Sequence, residues 1–206
     1  MIDPPVSHAH RIRHAEPSLG SPSWQLDSCV FCSNQSADSI EPFPIAGQPI
    51  GHYGAFAAPY DLVRRLGHEP DAAELAGYDP EALTAVFAER PAPHRFPKAM
   101  AARVQELCRV LVERYDGDPA KIWTEAPDGR TAFKRINELP GFGKQKSQIF
   151  LALLGKRFDV RPTGWQEAAG QYGDADAHYS VADITDPESL LKVRVHKQRM
   201  KAASKA

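Results

Sequence analysis

The chain has 206 residues, 42% of them hydrophobic and 25% charged, with a formal net charge of −1. That length suits one domain with a real core, and no run approaches the ~18 apolar residues of a membrane span. Three cysteines exclude a disulfide framework and fit a reducing compartment. The opening MIDPPVSHAHRIRHAEP lacks the apolar stretch of a secretory signal, so a cytoplasmic protein is expected.

The charge is unevenly spread. Residues 129–206 hold 14 Lys and Arg against 8 Asp and Glu, a balance of +6, while residues 1–128 hold 11 against 18, a balance of −7. A basic face toward the C-terminal end is expected, set against the plainer alternative of two solvated surfaces that differ.

Residues 1–54 read apart from the remainder. The first 50 contain 7 of the 18 prolines and 8 serines and keep no helical or strand period. Cys29 and Cys32, with His8, His10 and His14 upstream, have the chemistry of a zinc site. A single Cys-x-x-Cys pair without a second one reads rather as incidental cysteines in a loosely ordered segment, and no metal is expected.

From about residue 55 helical periodicity sets in. AFAAPYDLVRRLG carries Leu62, Val63 and Leu66 as an apolar stripe that stops at Gly67. Asp79-Pro80 is a helix start, because Asp caps free amides and Pro fits the first turn. The pairing recurs at Asp118-Pro119 and Asp186-Pro187. FPKAMAARVQELCRVLVERYDGD is the clearest amphipath, with Met100, Val104, Leu107 and Leu111 on one face and Arg103, Glu106, Arg109 and Glu113 mostly off it. Cys108 falls beside the stripe as a small core residue. No stretch beyond residue 55 alternates as a strand should, so the fold class is all-α, with a helical domain over 55–206.

TAFKRINEL (131–139) then reads as a helix, PGFG as a corner, and KQKSQIFLALLGKR as a second helix that buries Ile149, Phe150, Leu153 and Leu154. Gly141 and Gly143 permit positive φ and strip side chains from the corner. Amides at the start of the second helix can then meet a phosphate oxygen, directly or through a bound cation, with Lys144 and Lys146 adding charge. Such a grip positions a nucleic-acid backbone and reads no sequence.

These residues resemble a known family. LPGFGKQKSQIFLALLG looks like the hairpin of the helix-hairpin-helix DNA glycosylases, and the similarity runs from about Ala55 to the end, through VRPTGWQEAAGQYG, to an actinobacterial-type branch of base-excision repair proteins. The resemblance implies a glycosylase-like helical fold, duplex DNA with a damaged base as partner, a monomer, and a cytoplasmic, nucleoid-associated location. It implies Leu139, Pro140, Gly141, Gly143, Lys144 and Lys146 as the DNA-binding residues. A monovalent cation at the hairpin would fit the family; an iron–sulfur cluster is not expected, since no four-cysteine group follows the hairpin.

Three positions depart from the family pattern. Gln145 stands where lyase-competent members carry a lysine, so the resemblance favours a water-using, monofunctional enzyme without lyase activity. Pro162 falls at or next to the place of the catalytic aspartate, which leaves Asp159 and Glu167 as the nearest candidate carboxylates. GQPIGHYG replaces an early Gln-Gln helix; residues 1–54 read as divergent, disordered or the product of a shifted reading frame.

A glycosylase flips its base into an aromatic pocket and stabilises a positive sugar with a carboxylate. Trp165 and Tyr172 are the candidate stacking residues, with helix packing as their plainer role. Alkylated bases, already good leaving groups, would ask least of a weak carboxylate. In SLLKVRVHKQRMKAASKA, Leu190, Leu191, Val195 and Val193 are expected inward, with Lys192, Arg194, Lys197, Arg199 and Lys201 around the rest. That helix would add salt-dependent affinity, or serve only as a solubilising tail. The function expected is hydrolysis of the N-glycosidic bond of a damaged base, the alternative a non-catalytic lesion-recognition protein.

Overall fold

A computed structural model of the chain describes residues 58–90, 92 and 94–203. The reading of residues 1–54, with the Cys29–Cys32 pair and its histidines, lies outside them. The described residues are helical and contain no strand. The helices are α1 (Ala58–Leu66), α2 (Ala72–Gly77), α3 (Pro80–Ala88), α4 (Pro97–Tyr115), α5 (Lys121–Thr124), α6 (Gly129–Asn137), α7 (Lys144–Arg157), α8 (Trp165–Ala169) and α9 (Pro187–Ala203), with 3-10 turns at Gly170–Gly173 and Val181–Asp183.

The starts follow local chemistry. Asp79 accepts a hydrogen bond from the Ala82 amide at 2.8 Å and Pro80 opens α3. Asp186 does the same for the Ser189 amide, at 2.8 Å, at the head of α9. Asp118-Pro119 departs from the expected pattern: Asp118 bonds the Ala120 amide at 2.8 Å, and the short α5 begins only at Lys121. The helix expected over 131–139 runs over 129–137, because Asp128 accepts from the Thr131 amide at 2.7 Å and caps it earlier.

Met100, Val104, Leu107 and Leu111 are all buried, and Cys108 lies beside them. This face of α4 packs on α2 and α3. Gln105, also buried, donates to the Tyr78 carbonyl at 2.6 Å and so satisfies the end of α2.

The second layer is built around α7, which touches α6, α8 and both 3-10 turns. Its residues 150–155 are buried without interruption, so α7 is enclosed on nearly every side and lacks a strong polar face. One apolar cluster joins both layers, from Ala58 to Ala182. The segment 174–184 is locked to α7 by a shielded ion pair, Lys156 Nζ to Asp183 Oδ1 at 2.5 Å, and by Arg157 donating to the Ile184 carbonyl at 2.6 Å.

α9 is docked mainly by its first turns. Val193 and Ser189 are buried, whereas Leu191 is 61% exposed and Val195 37%. The inward face is thus centred on Val193, and Leu191 and Val195 point outward, contrary to expectation. Among the described residues no helix is long and apolar enough to cross a membrane.

Candidate nucleic-acid interface

The corner between α6 and α7 is made by Leu139, Pro140, Gly141, Phe142 and Gly143. Leu139 and Phe142 anchor it from below: both are buried, and the Phe142 ring meets Phe150 edge-on at 5.9 Å between centroids. The Phe142 amide donates to the Leu139 carbonyl at 3.0 Å. Ser147, fully buried, donates through Oγ to the Gly143 carbonyl at 3.0 Å and lies 3.3 Å from Asn137 Oδ1, so both flanking helices hold the turn.

The two glycines differ. Gly141 has φ +81°, a torsion that disfavours any side chain. A Cβ there would also stand 2.8 Å from Arg103 Cδ. Gly143 is extended, with φ −117° and ψ 172°, which corrects the expectation of positive φ at both positions. A Cβ at Gly143 would meet nothing within 4 Å among the described residues.

Gly143 is the N-cap of α7, and no side chain caps that helix. The first-turn amides therefore sit at an open corner with the positive end of a 14-residue helix behind them. Gly141, Gly143 and Lys144 are exposed. Lys146 folds back: its ammonium donates to the Gly141 carbonyl and lies 5.8 Å from the Phe142 ring centre. The two lysines thus differ in role, Lys144 extending the charge outward and Lys146 holding the corner.

Gln145, at the same helix start, donates through Nε2 to the Tyr172 hydroxyl at 2.8 Å, and the Tyr172 ring is buried. Trp165 lies at the other end of α7. Its ring packs on Gly155, where a Cβ would approach it to 2.6 Å, and its backbone crosses Gly129. Ten residues of helix separate the two contacts, ~15 Å at 1.5 Å per residue. The two aromatics do not line one pocket. Trp165 borders a hollow of about 630 Å³ between the end of α7 and the start of α9, together with Lys156, Arg157, Arg161, His178 and Lys192.

The candidate carboxylates also stand apart from the corner. Asp159 follows the C-terminus of α7 in the left-handed region, φ +58°. Its side chain is 84% exposed and pairs with Arg161 at 3.2 Å. Glu167 is exposed on α8 and lines a separate hollow of about 300 Å³ with Asp128 and Arg130. Pro162 sits between them, its carbonyl accepting from the Trp165 amide at 3.0 Å. The hairpin residues are brought together; Asp159, Glu167, Trp165 and Tyr172 are not. Among the described residues no group of three or more His, Cys, Asp or Glu could hold a metal ion.

Sequence reasoning misses Arg103. It lies off the apolar stripe of α4, yet its stem runs along Gly141. No local signal announces that tertiary contact. No family model matches the sequence, and neither a curated protein nor a solved structure matches it.

Proposed function

We propose that the protein binds the sugar–phosphate backbone of duplex DNA through the Leu139–Gly143 hairpin, in the manner of helix-hairpin-helix base-excision repair proteins. The observation that carries this reading is Gly143. Neither its torsions nor any neighbour among the described residues calls for glycine. A helix start accepts glycine about as readily as Thr, but Ser, Asp and Asn cap it with a side-chain oxygen that glycine lacks. What glycine leaves is bare amide surface beside an exposed lysine, on which a phosphate oxygen can seat without a Cβ in the way. The basic balance of residues 129–206 supports the same partner.

A second reading keeps the chemistry: a monofunctional DNA glycosylase, in which water adds to the deoxyribose C1′ and a damaged base departs with the electron pair of the bond. The contact of Gln145 with Tyr172 favours it, because it sets an aromatic hydroxyl directly behind the DNA-facing corner. No candidate carboxylate shares that place, so the binding reading is preferred.

The test is a single-turnover assay, protein in excess, on duplexes carrying uracil, oxidised guanine, alkylated purines, adenine opposite oxidised guanine, or a bare abasic site. Binding is the expected result, with no strand cleavage after hot alkali in any duplex that starts with an intact base; the abasic duplex, which alkali cleaves unaided, is the positive control. Alkali-dependent cleavage at one lesion would establish the glycosylase, and Asp159→Asn and Glu167→Gln would then ask which carboxylate serves it. Absence of binding to every duplex would contradict both readings.

A further inference from the structure

We propose that Arg103, contributed by α4, is a second arm of the hairpin's phosphate grip and contacts a backbone phosphate as a guanidinium fork. This rests on the reading of the hairpin as a DNA-backbone site and adds to it a residue from a different helix.

The stem of Arg103 lies on Gly141, whose missing Cβ leaves room for it: a Cβ there would be 2.8 Å from Cδ and 3.4 Å from both Cγ and Nε. The guanidinium therefore begins at the edge of the corner. Among the described residues it has neither a hydrogen bond nor an ion pair. Nor is any Arg103 nitrogen buried without a partner. Each Arg103 nitrogen therefore keeps some contact with solvent.

Three other arginines spend their donors on backbone carbonyls of this molecule. Arg135 donates to the Lys121 carbonyl at 3.2 Å, Arg157 to the Ile184 carbonyl at 2.6 Å, and Arg161 to the Gly155 carbonyl at 3.0 Å. Arg103 differs in lying against a glycine turn, where the Gly141 carbonyl accepts from Lys146 instead. Three cations from two helices, Arg103, Lys144 and Lys146, thus meet at one exposed turn, with Lys146 committed to the turn itself. The remaining two are placed for an anion. A guanidinium presents paired donors that match two phosphate oxygens, whereas an ammonium offers a point charge. The half-buried stem fixes that fork in place before binding, which lowers the ordering cost.

The test compares duplex affinity over a salt series for the wild type, Arg103→Met, Arg103→Lys and Gly143→Val. Met keeps an unbranched stem over Gly141 and removes the charge, so thermal stability serves as its control. Arg103→Met is expected to bind about tenfold more weakly, with the slope of log affinity against log salt reduced by about one phosphate contact. Arg103→Lys is expected to keep the slope and bind severalfold more weakly. If Arg103→Met melts early, the Lys variant carries the test, and equal affinity of Lys and Arg would overturn the fork. Wild-type affinity and slope in Arg103→Met, with Gly143→Val impaired, would overturn the role of Arg103 and leave the hairpin reading intact. Wild-type affinity in Gly143→Val would instead sink the hairpin reading itself, and the proposal with it.

Discussion

Gly141 and Gly143 stand two residues apart and answer to different demands. The positive φ of Gly141 and the Arg103 stem against it mean that Gly141→Ala strains the backbone and displaces a neighbour. We expect a loss of about 1–2 kcal/mol in denaturant unfolding. Gly143→Val meets neither obstacle, and because Val is a poorer N-cap than Gly its unfolding free energy should fall by about 1 kcal/mol at most. A large loss at Gly143 would mean that the chain, not a ligand, requires glycine there. Asp128 is a third residue whose effect can be separated. Its carboxyl is held below the ordinary carboxylate range, chiefly by the hydrogen bond from the Thr131 amide. Folding thus favours the charged form, and that contribution is complete above the unfolded value near pH ~4 and fades as pH falls through the depressed folded one. Asp128→Ala should lower the melting temperature at neutral pH by about 2–4 °C, with a gap that narrows below about pH 4. Asp128→Asn, which keeps a neutral acceptor, should narrow less; a gap in the Ala variant that stays constant from neutral pH into strong acid would contradict the capping role.

At the level of elements, helices announced by caps and by the 3.6 period are legible. α4 shows this most clearly, since its four apolar positions are one stripe and a long helix has only one way to bury them. α7 is legible in extent, Lys144–Arg157, because the hairpin fixes its start, but not in depth: Leu151 and Ala152, outside the expected buried face, are fully buried too. Its enclosure comes from α8 and the 3-10 turns, which have weak local signals. α9 departs from expectation at Leu191 and Val195 for the opposite reason. Val193 is the one apolar side chain of its described residues that is buried, and a helix docked by a few residues does not bury every apolar side chain it carries. That shallow docking gives a prediction. Ending the chain after Lys197 removes Arg199, Lys201 and Lys205 and leaves Val193 in place. The melting temperature should shift by less than about 2 °C. If α9 also touches DNA, the salt slope should fall by about 0.9 for each phosphate that the truncated helix no longer neutralises. An unchanged slope would make this end of α9 a solubilising tail.

Across the whole molecule, two helical layers on one core hold an uncapped helix start and its cations at the surface, while the candidate carboxylates and Trp165 lie toward the far end of α7. The corner is legible in the sequence because Leu-Pro-Gly-x-Gly is local, and its lysines are neighbours along the chain. Arg103 is not, because the packing of α4 against the hairpin is decided by the core. The scatter of Asp159, Glu167, Trp165 and Tyr172 is equally hidden, since proximity in sequence says little once short helices turn back on α7. That this corner grips a DNA backbone is tested most directly by equilibrium binding of a fluorescent duplex to the wild-type protein and to Gly143→Val, over roughly 50–300 mM salt, where phosphate contacts respond most clearly. Wild-type affinity should fall linearly in log–log form as salt rises. Gly143→Val should bind at least about tenfold more weakly at every salt concentration while melting within about 4 °C of the wild type. Equal binding by the two proteins, or wild-type binding that ignores salt, would contradict the grip.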